Sequence, residues 1–310
     1  MTRERVDLHD LVAQARATGA RAESSNLLTA ASCALVLDAL DIDADASFDA
    51  LVTAVPSSRN PLDESLLASP SGRSWVLSGE VRHVPHGSDA SLLLTVVRSR
   101  PFAGRERGLR VYAVDAQAPG LGITPLPTID DDCAARIEFN AVQVGDERVV
   151  GPSRDATTAI VGALDCATIV AVAEMIGAAD AARCAAMSWV STRVQFGEPL
   201  ARRQVVAHRV ADMTVACDAV GLLLADALTS IGDNTGRPDA LVVATLKHAA
   251  NRLLPTVTAH AHQLHGGEGY YADRPLHRWH RRVTALATQF GDQRAMRARN
   301  AELLGLPACF

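Results

Sequence analysis

Two stretches of the chain carry the residue types that hold an anionic, flat ligand. The first is Arg193-Val194-Gln195-Phe196-Gly197-Glu198-Pro199-Leu200, and the second is Gln263-Leu264-His265-Gly266-Gly267-Glu268-Gly269-Tyr270. Arg193 offers a planar guanidinium that can pair with phosphate oxygens through two charge-assisted bonds. Phe196 offers a ring to pack on another ring, and Gln263 an amide to hydrogen-bond. Gly266 and Gly267 let backbone N–H groups come close to a ligand. Taken singly, an Arg at a helix end is usually solvated and glycines between helices are usually caps. The pair of glycine-containing breaks, each lying between helical patterns, is what points to binding.

Other chemistry is poorly supported. His260, His262 and His265 lie close in sequence, but His260 and His262 fall on nearly opposite sides of a helix and no thiol or carboxylate completes a metal set. The six cysteines (33, 133, 166, 184, 217 and 309) show no CxxC and read as reduced thiols. Gly266-Gly267-Glu268-Gly269 follows a helix and not a strand, so it is not a dinucleotide fingerprint. A net charge of -5 gives no reason to expect nucleic acid. Lys247 is the sole lysine. No run reads as long and apolar enough to cross a bilayer, and the chain is expected to be cytoplasmic.

The elements that must position these stretches follow from patterning. Residues 1–72 read as a helical region, with an apolar helix over Asn26–Leu40, a shorter one over Phe48–Val55, and a Ser/Pro/Gly-rich segment after it. Over 73–150, short β-forming runs at Trp75–Gly79, Ser91–Val97, Leu109–Val114 and Ala135–Phe139 alternate with turns, which predicts a small antiparallel β-domain; Asp115–Gly122 reads as a turn only. From 151 to 310 the helical period returns. Val206, Val210, Met213, Cys217, Val220 and Leu224 form one stripe, Pro255 is expected to kink the third helix, and Gly291 to break the fourth. The fold class is α+β, ending in a four-helix bundle.

This arrangement resembles the acyl-CoA dehydrogenase family. Arg193-x-Gln195-Phe196-Gly197 with Gln204 and Ala211-Asp212-Met213, and Gln263-x-x-Gly266-Gly267-x-Gly269-Tyr270 with Pro275-Leu276 and Arg281, are similar to its two signatures. Trp75-x-Leu77-x-Gly79, Asp115-x-x-x-Pro119-Gly120 and Val142-x-Val144 fit its β-domain. The resemblance covers about 25–305, with the opening helices shortened. It implies that Arg193, Gln195, Phe196, Gln263, Gly266 and Gly267 bind the adenine-diphosphate half of FAD across a subunit interface.

Three features depart from the family. The glutamate that removes the substrate α-proton is expected at Phe290 or, in other members, at Ala167. Asp165 lies two residues from Ala167, on nearly the opposite helical face, and Asp292 is a second candidate. Both read more simply as solvated or capping acids. Val55-Pro56-Ser57-Ser58-Arg59-Asn60-Pro61 stands where the family has its Thr-Glu-x-x-x-Gly-Ser-Asp flavin-ring segment.

The resemblance therefore implies a non-catalytic subunit. It would complete the FAD site of a catalytic acyl-CoA dehydrogenase partner in a heterotetramer (α2β2), as in bacterial steroid breakdown, with an acyl-CoA substrate. Two alternatives stay open: a self-sufficient homo-oligomeric flavoenzyme using Asp165, Asp292 or Glu174 as base, and a structural or regulatory subunit without FAD.

Overall fold

The computed structural model describes residues 6–22, 25–42, 51–54, 66–99, 108–151, 156–233 and 237–307. They divide into two compact units, one built from residues 1–7 and 26–167, the other from 8–25 and 168–310. The chain opens with α1 (Leu8–Arg21), which belongs to the second unit, and α2 (Leu27–Ala39), which belongs to the first.

The first unit is organised on a sheet. Its strands are β1 (Leu51–Ala54), β2 (Leu66–Ser71), β3 (Ser74–Val84), β4 (Leu92–Ser99), β5 (Gly108–Asp115), β6 (Leu121–Pro125), β7 (Ala135–Gly145) and β8 (Val149–Val150). Their order is β6-β7-β3-β2-β4-β5-β8, with β1 beside β4. Most pairs are antiparallel; β1–β4 and β2–β4 are parallel. One face packs Leu66, Leu77, Leu93, Val97, Tyr112, Ile137 and Phe139 into a core. Full burial of such side chains contributes about 1.5–3 kcal/mol each. On β4 and β5 the alternate residues Leu94, Val96, Leu109 and Val111 are buried as well. Both faces are therefore covered, and these strands read as unbroken apolar runs.

Four strands of this sheet lie outside the expected runs, among them the two-residue β8. β1 falls where a short helix over Phe48–Val55 is expected; Leu51–Ala54 pairs instead in register with Leu92–Thr95. β2 precedes the expected boundary at 73 and is joined to β3 by the two-residue turn Gly72-Arg73, with Gly72 at φ 63°. β6 lies beyond the Gly120 turn and pairs with β7. The Val55–Pro61 segment lies outside the described residues.

The second unit is helical. α3 (Thr157–Thr192) begins in the first unit and continues into the second. A hairpin of β9 (Val194–Gln195) and β10 (Glu198–Pro199) leads to α4 (Gln204–Asp233), α5 (Ala240–His265), α6 (Leu276–Leu286) and α7 (Gln293–Leu303). α5 is the central member, packing on α4, α6 and α7. Asp239 caps its start, accepting from the Leu241 and Val242 amides. It continues through Pro255 as one helix. The fourth bundle member is split into α6 and α7 at Phe290-Gly291, both at positive φ.

α1 docks on this unit through backbone proximity. A Cβ at Gly19 would collide with the Glu174 carbonyl, and one at Gly177 with the Arg16 carbonyl. Trp279 Nε1 donates to the Ala20 carbonyl at 3.1 Å.

One expectation is corrected. α3 and α4 are each long and apolar enough to cross a membrane by length and composition. In α3 the apolar stretch is 78% buried within the protein, so its hydrophobicity is that of a core helix; in α4 only 22% is buried.

Candidate functional site

The β9–β10 register pairs Gln195 with Glu198 and Val194 with Pro199. That leaves a two-residue turn, Phe196 at φ 55° and Gly197 at φ 85°. Positive φ at both positions matches the twist of a tight hairpin, but an aromatic residue rarely adopts it. Phe196 is 91% exposed, so its own core gives no reason for it to be there. The Arg203 guanidinium lies 5.5 Å from its ring centroid and pairs with Glu198 at 3.2 Å.

The second stretch closes α5. Gly266 sits at φ 61°, ψ −139°, a conformation suited to glycine alone. Gly269 is packed against His262 and His265, where a Cβ would stand 3.0 Å from the His262 carbonyl. Gly267 is different. A Cβ there meets nothing within 4 Å, and its φ is not in the left-handed region. The fold does not require its bare backbone, which leaves room for an approaching ligand.

These two stretches, distant in sequence, line one cleft of about 580 Å³. Arg193, Gln263, Gly266 and Gly267 all lie in its wall; Gln195 and Phe196 do not, and stand on the hairpin. The structure adds Trp189, Arg209 and His265 to the lining. Trp189 is stacked on His265 at 5.5 Å between centroids, and the guanidiniums of Arg193 and Arg274 lie 5.6 and 5.2 Å from its ring centroid. His265 Nδ1–H donates to the Ala261 carbonyl at 2.7 Å. Burial pushes its pKa below the ordinary imidazole value, so the ring is neutral near pH 7 and its Nε2 remains an acceptor. A cleft with two arginines, one glutamate, an indole and bare glycine backbone suits an anionic ligand with a flat ring system. Trp189 was readable from sequence as one helical turn before Arg193; Arg209 carried no such signal.

The histidines nearby serve the turn. His262 Nδ1–H donates to the Gly269 carbonyl at 3.1 Å, and His280 Nδ1 meets Thr258 Oγ1 at 2.8 Å. Among the described residues no group of three or more His, Cys, Asp or Glu is placed to hold a metal.

The positions expected for a catalytic carboxylate hold Phe290, at φ 55°, and Ala167, which is fully buried. Asp292 caps α7, accepting from the Ala295 amide at 2.8 Å. Asp165 is buried and not solvated, which corrects the sequence reading. Glu174 is buried against Arg282. Behind the Phe290 turn, Lys247 Nζ donates to the Leu286 carbonyl at 2.6 Å and Asn251 Nδ2 to the Gly291 carbonyl at 3.0 Å. Both ends of the α6–α7 connection are thus held from α5.

The acyl-CoA dehydrogenase C-terminal domain model matches residues 157–304. The chain is 29% identical over 239 residues to 3-sulfinopropanoyl-CoA desulfinase of Paraburkholderia xenovorans (strain LB400), covering 75% of this chain and 61% of that protein. It is 27% identical over 227 residues to the mitochondrial short-chain specific acyl-CoA dehydrogenase of Homo sapiens, covering 72% and 54%. The chain therefore spans only 54–61% of the length of these relatives. Among solved structures, a variant of the Tcur3481–Tcur3483 steroid ACAD superposes with a TM-score of 0.84 at 26% identity, over 96% of this chain and 81% of that one. The ChsE4–ChsE5 complex of Mycobacterium tuberculosis shares the fold with a TM-score of 0.80 at 22% identity, over 97% and 82%. The fold is that of the acyl-CoA dehydrogenases. Over residues 157–304 the chain matches the acyl-CoA dehydrogenase C-terminal domain, and over most of its length it is similar to acyl-CoA dehydrogenases, oxidoreductases that are generally FAD-dependent.

Proposed function

We propose that this chain is a subunit of a FAD-dependent acyl-CoA dehydrogenase, one that completes the cofactor site of a catalytic partner and carries no base of its own. The observation that carries the reading is the convergence of Arg193, Gln263, Gly266 and Gly267 on one cleft, where Gly267 leaves space that its own fold does not use. Arg193 and Arg209 would neutralise the diphosphate, and Trp189 and Phe196 would face flat rings. When bound, FAD supplies the hydride acceptor for α,β-dehydrogenation of an acyl-CoA thioester. Removal of the α-proton needs a carboxylate over that carbon. Here Phe290 and Ala167 stand at the usual positions, Asp292 is engaged as a cap, and Glu174 is paired with Arg282. The proton abstraction is therefore assigned to the partner.

Likeness to a steroid ACAD at 26% identity supports a steroid-derived acyl group as substrate. Two of the solved relatives are named for pairs of chains, which supports a heteromeric assembly, here a heterotetramer.

The test is co-expression with a full-length acyl-CoA dehydrogenase chain from the same source. The purified complex should be yellow and should dehydrogenate acyl-CoA. Arg193→Ala should lower its flavin content while both chains still co-purify. Full flavin occupancy in that variant would overturn the reading.

A further inference from the structure

His265 lines the cleft, yet it is only 6% exposed. Its Nδ1–H turns back on α5 and donates to the Ala261 carbonyl. That bond fixes the tautomer, so Nε2, on the far side of the ring, carries a lone pair. Nε2 has no hydrogen-bond partner among the described residues, and it is not among the buried side-chain atoms sealed off without one. Solvent therefore reaches it, and the space that the ring lines is the cleft.

The surroundings keep this lone pair free of a proton. The ring is stacked on Trp189 with 14° between the planes, and the Arg193 and Arg274 guanidiniums lie over the same indole. A proton on Nε2 would add a further cation to this group. Burial first, then Arg274 and His262, hold the ring neutral against the pull of the Ala261 carbonyl and of Glu268. Glu268 itself lies 3.9 Å from Arg274. A ligand that fills the cleft takes water away from Nε2. A phosphate oxygen placed there would set two acceptors face to face, whereas an N–H or O–H would satisfy the lone pair.

We propose that His265 reads a hydrogen-bond donor on the ligand of this cleft, its Nε2 accepting from the purine amine or from a ribose hydroxyl of a bound nucleotide. The inference rests on the subunit reading, in which that nucleotide is the adenine-diphosphate half of FAD. Arg193 and Arg209 serve the phosphates, and His265 serves the nucleoside. Binding then requires the neutral ring, so affinity falls as pH drops through the ring's pKa, which lies below the ordinary imidazole value. A ring that met phosphate would do the reverse.

The test uses the co-expressed complex, stripped of flavin and titrated with FAD from about pH 8 to about pH 5.5. The diphosphate of FAD is a diester, so its charge is constant over this range. Wild type should bind several-fold more weakly at the acid end. His265→Phe keeps a flat ring against Trp189 and loses the acceptor; it should bind roughly tenfold more weakly at the alkaline end and respond less to pH. His265→Gln, whose Oε1 can accept, should recover part of that loss. Competition by the diphosphates of adenosine, purine riboside, 2′-deoxyadenosine and 3′-deoxyadenosine names the donor. One analogue should compete roughly tenfold more weakly than ADP against wild type, and as well as ADP against His265→Phe. Purine riboside in that role assigns the amine, and a deoxy sugar the hydroxyl. Affinity that rises on acidification, or analogues that all match ADP against wild type, would overturn the inference. Arg193→Ala separates it from the subunit reading. Flavin loss in Arg193→Ala with unchanged binding in His265→Phe removes the His265 role and leaves the cofactor site standing, whereas full flavin in Arg193→Ala removes the site itself.

Discussion

Arg282 grips both oxygens of the Glu174 carboxylate: Nε donates to Oε1 at 2.6 Å and Nη2 to Oε2 at 3.2 Å. Glu174 is only 2% exposed, and the backbone of α1 crosses directly over its carbonyl at Gly19. Removing one partner leaves the other charged and buried. Arg282→Met is expected to lower stability by about 3–5 kcal/mol. The double variant Arg282→Met/Glu174→Met should recover much of that loss, as read by urea unfolding. Because the carboxylate is engaged, Glu174→Gln should leave dehydrogenation by the complex within a few-fold of wild type. Loss of activity with an intact fold would instead revive Glu174 as the base.

Lys247 is expected to give stability an alkaline dependence. Burial pushes its pKa down to about 7 from an ordinary 10.5. Between these values the unfolded chain holds more protons than the folded one, so stability rises with pH across that window. Below pH 7 the full cost of burying the charge is present; above 10.5 it is gone. The swing is at most about 5 kcal/mol. Denaturant midpoints measured from pH 7 to 10 should climb for wild type and stay flatter for Lys247→Met.

The two adjacent glycines of the α5 turn should separate cleanly. Gly266→Ala places a side chain at φ 61°, ψ −139°, which costs of order 1–3 kcal/mol of stability. Gly267→Ala meets nothing within 4 Å in the chain itself and should change stability by less than about 0.5 kcal/mol. If the bare backbone at 267 serves a ligand, that same variant should lower flavin content in the complex. Thermal unfolding and flavin absorbance on the two variants check both halves.

The α1 crossing is expected to tolerate no methyl group. Gly19→Ala and Gly177→Ala each drive a Cβ into a backbone carbonyl of the facing helix, an overpacking of roughly 1–3 kcal/mol. Relief comes from undocking α1, so cleavage of that helix by a protease should accelerate well before the rest of the bundle is attacked.

The bundle was legible because its helices keep an apolar period over many turns and end at Gly266 or start at Asp239. The stripe Val206–Leu224 lies within α4, which runs on to Asp233, and the helix expected to hold Pro255 is α5. The sheet was legible only where β-branched and aromatic residues dominate. β2 contains Pro70 and two serines, and β6 contains Gly122 and Pro125; their pairing is supplied by β3 and β7, neither of which is local. Domain limits also escaped, since α1 joins the bundle through Gly19 and Gly177, contacts that no periodicity announces. At the cleft, the glycines and Arg193 stand out in the sequence because their geometry is local. Arg209 and the Trp189–His265 stack arise from three helices meeting, and Asp165 looked solvated only because its neighbours were unseen.

Lys247 has one more consequence. It is the only lysine, and it is wholly enclosed, so the folded protein shows guanidiniums wherever a lysine would otherwise sit. Guanidinium stays protonated and does not attack thioesters; a neutral amine does. The folded surface therefore offers a reactive acyl donor no lysine to modify. Covalent tagging of Lys247 becomes a molecular clock, each tag recording one excursion in which the bundle came apart.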